Sequence, residues 1–183
     1  MNTRARLICA VLAVAVLIVA PVGQSADSRA AREFPGACPG EGGCTFGVWT
    51  AKEDVAVYTE RTTTSAVLYR IKKGEKVRGL EAVLHVVNPR TCTAQKSAVG
   101  YLSGGRERPI PAGTRLTIFY YEGEGYALTE YQKTELSVNL SDDSFKCSEN
   151  EPDEILWLKI RSKSGRVGWS KDRAKFIGTS QYD

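Results

Sequence analysis

From Val48 onward the chain alternates apolar and polar residues with a period of two, and this pattern limits the fold more than any other feature. In "VWTAKEDVAVYTE", Trp49, Val55 and Val57 share one parity, as side chains on one face of a strand do. The stretch "RTTTSAVLYRIKKGEKVRGLEAVLHVV" continues the texture, with strands predicted over 67–71 and 77–87 about a Lys-Lys-Gly turn. No window after the first residues carries a helical stripe, so the expected class is all-β.

The opening of the chain follows a different logic. Arg4 and Arg6 precede an unbroken apolar run of 14 residues from Leu7 to Ala20, and small and polar residues follow around Gln24-Ser25-Ala26. This is the layout of an export signal over residues 1–26. The run falls short of the roughly 20 residues that cross a bilayer as a helix, so a retained anchor is the weaker alternative. The chain is therefore expected to be exported, to the periplasm or the extracellular space, and to meet a membrane only through an uncleaved signal. Loss of Arg4 and Arg6 would take the formal charge from +4 to about +2. Cations and acids are interspersed along the rest, so no block of charge points to nucleic acid as a partner.

Of five cysteines, Cys9 falls in the signal. The other four, Cys38, Cys44, Cys92 and Cys147, read as two disulfides in an exported chain, with three possible pairings. Cys38 and Cys44 flank the flexible "PGEGG", which favours their local pairing and leaves Cys92 with Cys147. On chain-entropy grounds the long loop contributes about 4 kcal/mol and the short one about 2. A four-thiolate zinc site would want two-residue spacings that the chain lacks. No metal or cofactor is expected.

Residues 27–47 read as a disulfide-held linker, and 48–178 as the β domain, with a tail at 179–183. The segment from Asn88 to Pro109 reads as loop, and Ser141 to Glu154 as an acidic, solvated connection. Between them, Leu116, Ile118 and Tyr120 are expected on one face of a strand and Thr117, Phe119 and Tyr121 on the other. A weak internal repeat relates "IKKGEKVRGLEAV" to "IPAGTRLTIFYYEG", with Gly74 matching Gly113 at a turn that a Cβ would resist.

"VYTERTTTSAVLYRIKKGEKV" and "WLKIRSKSGRVGW" resemble the opening half and the closing hairpin of the bacterial SH3-like domain. The matching positions are Val57, Tyr58, Ser65, Val67, Ile71, Gly74, Val77, Trp157, Lys159, Ile160, Gly165, Gly168 and Trp169. The resemblance implies a small barrel that the Trp157–Trp169 hairpin completes, with both tryptophans in its core. An insertion of about 88–154 separates the halves, where the family has a short connection, and looks like a second, incomplete SH3-like unit. Such modules bind and do not catalyse. The implied role is a non-catalytic extracytoplasmic module for cell-wall peptide or glycan, or for an envelope protein. A secreted inhibitor or scaffold presenting the insertion is the alternative.

Catalytic readings find little material. His85 is the sole histidine and lies in the apolar run "AVLHVV", where a strand position is expected. Glu122 and Glu124 could pair for glycoside hydrolysis, but an exposed "EGEG" turn is a poor place for a general acid. The acidic stretch over 142–154 lacks the alternation of a calcium loop. Asn139 in "NLS" fits a glycosylation acceptor. The aromatic residues Tyr120, Tyr121 and Tyr126 are the expected ligand surface, with Tyr131 nearby, because a small fold rarely buries both faces of such a strand.

Overall fold

The computed structural model describes residues 31–40 and 42–181. The signal segment, the first residues of the linker and the end of the tail lie outside the described residues. The protein is all-β, and no helix among the described residues is long and apolar enough to cross a membrane.

The chain first forms β1 (Arg32–Pro35), β2 (Val48–Ala51), β3 (Val55–Tyr58), β4 (Val67–Ile71) and the long β5 (Lys76–Asn88). Seven strands follow: β6 (Arg90–Ala94), β7 (Ala98–Tyr101), β8 (Glu107–Ile110), β9 (Arg115–Gly123), β10 (Tyr126–Tyr131), β11 (Thr134–Asn139) and β12 (Phe145–Cys147). The chain then returns through β13 (Asp153–Arg161), β14 (Val167–Ser170), a single 3-10 turn at Arg173–Lys175, and β15 (Phe176–Ile177).

Two sheets result. The outer unit is an eight-stranded, curled sheet in the order β15-β2-β5-β13-β14-β3-β4, with β1 also on β5. The inserted unit is a seven-stranded sheet in the order β12-β6-β9-β10-β11-β7-β8. Written in chain order, the two paths are the same path. Each strand of the inserted unit has a counterpart in the outer one, from β6 for β2 to β12 for β15.

The match extends to individual hydrogen bonds at the repeated turn. The Gly74 N–H donates to Ala51 O and the Ala51 N–H to Glu75 O; likewise Gly113 donates to Ala94 O and Ala94 to Thr114 O. Both glycines hold φ near +80°, at +83° and +80°, where a side chain would be strained.

Each unit has its own interior. Trp49, Val55, Val57, Ile71, Leu158 and Ile160 fill the outer one; Cys92, Ile110, Leu116, Ile118, Leu136 and Val138 fill the inserted one. A third cluster of Phe34, Leu84, Val86, Phe119 and Leu128 joins the sheets. Each of these five is buried, and full burial of such a side chain is worth roughly 2 kcal/mol.

Several segments expected to be irregular are strands. β6, β7 and β8 occupy the stretch read as loop, β1 lies in the linker, and β12 in the acidic connection. The physical reason is the size of their inward residues. Cys92, Ala94 and Gly100 are buried but small, so the alternation that marks a strand carries little hydrophobic contrast. The Trp157–Trp169 hairpin also differs from expectation. It lies inside the sheet rather than at its end, because β15 follows it and pairs with β2. Gly168 does admit a close neighbour, since a Cβ there would lie 2.7 Å from Tyr58 O.

Candidate functional site

The tyrosines expected to form one platform are separated by a bulge. Leu128 pairs with Tyr120 and Thr129 with Ile118, which leaves Phe119 as an extra residue in β9. An extra residue resets the alternation. Phe119 and Tyr120 therefore both join the cluster between the sheets, while Tyr121 packs with Leu116 and Ile118 on the interior of the inserted unit. This corrects the strict period-two assignment of that strand.

Each tyrosine is half-buried. Tyr120 packs edge-on against Phe34 at 5.2 Å, and burial pushes its hydroxyl pKa up to about 12, helped by Glu122, Glu135 and Glu154. The Tyr121 hydroxyl accepts a hydrogen bond from Arg90, and burial raises its pKa. Tyr126 packs edge-on against Tyr101 at 6.1 Å. Of the three, Tyr121 lines a cavity, of about 350 Å³, with Arg90, Ser141 and Phe145. Tyr131 lies beneath the Arg108 guanidinium at 5.5 Å.

Glu124 is exposed on the β9–β10 turn with φ +51°, and Glu122 is half-buried on β9. His85 lies within β5, between Glu33 of β1 and Ile155 of β13. Hydrogen bonds from the Ser144 hydroxyl and from its N–H, the latter at 2.7 Å, hold the Asp142 pKa below the usual range and use the carboxylate as a turn cap. Asn139 Oδ1 accepts the Ser141 N–H at 2.8 Å. Both disulfides are present as paired from the spacing, Cys38–Cys44 and Cys92–Cys147.

The tryptophans of the hairpin correct a further expectation. On β13, Leu156, Leu158 and Ile160 pack inward, so Trp157 and Lys159 turn to the outer face. Trp157 is buried there beside the Tyr58 ring at 6.2 Å, without a hydrogen-bond partner for its N–H among the described residues. Trp169, directly opposite both Lys159 and Tyr58, is half-buried rather than in the interior. Arg61 and Lys159 lie against its ring at 5.2 and 5.3 Å. Arg61 Nη1 is 2.9 Å from the Glu33 carboxylate, a charge contact outside hydrogen-bond geometry. The interior position belongs instead to Trp49, whose Nε1 donates to Thr45 O at 2.8 Å.

A second opening, larger than the cavity beside Tyr121, is in the outer unit. A cleft of about 950 Å³ lies between the β4–β5 turn and the β13–β14 hairpin, at the mouth of the curled sheet. Arg70, Lys76, Arg78, Arg161, Lys163 and Arg166 line it, against one acid, Glu75. All six cations are exposed, and none is within ion-pair distance of a carboxylate among the described residues. Glu75 is engaged, its carboxylate accepting the Lys72 N–H at 2.7 Å. The Tyr69 ring forms the floor, covered by the Arg166 guanidinium at 4.4 Å, and its hydroxyl donates to Arg166 O at 3.2 Å. Burial raises the Tyr69 pKa, so it remains a neutral donor. Sequence reasoning missed this cleft because Arg70, Lys76 and Arg78 lie far along the chain from Arg161, Lys163 and Arg166. Only the fold brings the two groups of cations to one opening.

No family model matches the chain, and comparison with curated proteins and with solved structures finds no match.

Proposed function

We propose that this protein is a non-catalytic binding module of SH3-like fold that holds cell-wall peptide or glycan outside the cytoplasm. The observation that carries the reading is the open cleft of about 950 Å³ at the mouth of the outer unit, walled by a turn and a hairpin. Sites of this size are large enough for a ligand segment rather than an ion. The strand order supports the SH3-like assignment: β2 pairs with both β5 and the last strand, and a 3-10 turn precedes that strand. Two disulfides are compatible with an oxidising, exported location.

The tyrosine surface receives less support, because Tyr120 and Tyr121 belong to different packing clusters. A hydrolase using Glu122 and Glu124 would need both carboxylates across a cleft, whereas Glu124 projects from a turn. Residues 27–183, produced with both disulfides intact, should sediment with purified cell-wall sacculi. Folded protein that stays in the supernatant with sacculi at low salt would defeat the reading.

A further inference from the structure

Resting on that reading, we propose that the cleft takes a linear polyanion bearing phosphate or sulfate groups, with Arg78 and Arg161 as its clamp. Three independent observations lead there.

The first is a like-charge pair. Arg161 and Arg78 are directly opposite each other on adjacent antiparallel strands, and both line the cleft. Directly opposed residues share one face with their Cβ atoms about 5 Å apart, where like charges repel. The second is how the inserted unit treats the same problem. There Glu130 and Glu135 are directly opposed on β10 and β11, in the matching row of the sheet. Arg32 of β1 bridges them, with Nη1 3.1 Å from Glu130 and Nη2 bonded to Glu135. The protein thus supplies a counter-ion to one like-charge pair, and the described residues supply none to the other. A bound anion completes it.

The third observation is that three of the four strand cations, the clamp pair among them, occur in one unit only. At the places matching Arg70, Lys76, Arg78 and Arg161, the inserted unit has Pro109, Arg115, Thr117 and Glu130. There Arg108 is also tied down, donating to Gln132 Oε1 at 2.6 Å and Thr134 Oγ1 at 3.2 Å. A common backbone therefore does not require the cations.

The anion class follows from geometry. A carboxylate presents two oxygens and is satisfied by one guanidinium fork; a phosphate or sulfate has further oxygens to offer the opposing fork. The six cations are spread over both walls of the cleft, so several anionic groups on one chain fit better than one free ion. Single-stranded nucleic acid would need free aromatic faces for its bases, and the cleft's one aromatic ring, Tyr69, is covered by Arg166.

The test titrates residues 27–183 with inorganic polyphosphate and with dextran sulfate, using poly-glutamate and oligo(dT) for comparison. Polyphosphate or dextran sulfate should bind most tightly, the tighter of the two assigning the group. Arg78→Gln/Arg161→Gln should weaken that binding about tenfold at low salt and lower the salt slope by about 1.4. Its melting midpoint should not fall, since a repulsive pair has been removed. Arg106→Gln/Arg115→Gln loses equal charge from the inserted unit and should bind like the parent. Equal binding by the Arg78/Arg161 variant, equal weakening by the control variant, or preference for poly-glutamate or oligo(dT) would overturn the proposal. Sacculi are also compared before and after cold hydrofluoric acid, which cleaves phosphodiesters. If sacculi bind both proteins alike, treated or not, the clamp fails while the wall-binding reading stands. If polyphosphate or dextran sulfate binding depends on the clamp but sacculi are ignored, the polyanion stands and the wall reading fails.

Discussion

In the outer unit the indole of Trp49 lies over Gly79 and beside Gly178; in the inserted unit the matched places hold Cys92, Ile118 and Cys147. A Cβ on Gly79 would overlap the Trp49 ring, so the tryptophan and the glycine require each other. Where the tryptophan is replaced by cysteine, isoleucine refills the space and the place of Gly178 becomes the second half of a disulfide. The same trade occurs on the next strand pair. Gly168 faces Val57 in the outer unit, whereas Leu136 faces Gly100 in the inserted one. Edge-on aromatic pairs also recur, Tyr58 with Trp157 and Tyr101 with Tyr126. A close-packed interior permits a volume change only when a neighbour compensates. The cleft cations have no such compensation between the units, so packing does not explain them.

The largest effects should come from the two solutions to that central position. Trp49→Ala removes a fully buried indole and should lower stability by about 4 kcal/mol. Cys92→Ser/Cys147→Ser opens a loop of sequence separation 55 and should cost about 4 kcal/mol. Urea melts read with separate probes for each unit check both. If either substitution left the midpoint unmoved, the two positions would not be equivalent anchors.

Trp169→Ala should cost less, about 1.5 kcal/mol, because a half-buried ring and two cation contacts of about 0.5 kcal/mol each are lost. A cost matching that of Trp49→Ala would place Trp169 with the interior residues after all.

The outer unit was legible because its inward residues are large. Val55 and Val57 alternate with Ala56, Ile71 and Val77 sit between charged neighbours, and the Trp-x-Lys-Ile hairpin stands out in any reading. The inserted unit was half hidden, since Cys92, Ala94 and Gly100 do the inward work of its first strands. The repeat surfaced only at Gly74 and Gly113, where backbone geometry fixes the residue. The tyrosine faces were misassigned by one bulged residue, Phe119, because a bulge leaves no mark in a hydrophobic pattern. The cleft was invisible since Arg78 and Arg161 are far apart in sequence and meet only through register.

The hairpin turns give a smaller test of the same contrast. In the inserted unit Gln132 and Lys133 both hold positive φ, at 51° and 61°, in a two-residue turn that suits Asn-Gly. The outer unit has a longer turn with Gly165 at φ +86° and no comparable strain. Gln132→Asn/Lys133→Gly should therefore raise stability by about 1 kcal/mol. An unchanged or lower midpoint would show that the strain is already relieved.

The smallest effect concerns the junction of the two units, where β13 begins. Glu154 pairs in register with the buried Val86, and burial pushes its carboxyl from the ordinary 4.5 up to about 7. Between those values the folded protein holds more protons than the unfolded chain. This contribution to stability is therefore fully present at low pH, declines as pH rises from about 4.5, and is gone above about 7. More than a third of the residue remains exposed, so solvent screening limits the effect to about 1 kcal/mol or less. Glu154→Gln keeps the shape and removes the titration. The variant should match the parent at about pH 4 and exceed it at about pH 8. A parent whose stability is flat over this range, or a variant that keeps the slope, would mean that the junction tolerates the charge. The two units would then meet through the apolar cluster of Phe34, Leu84 and Phe119 without an electrostatic cost.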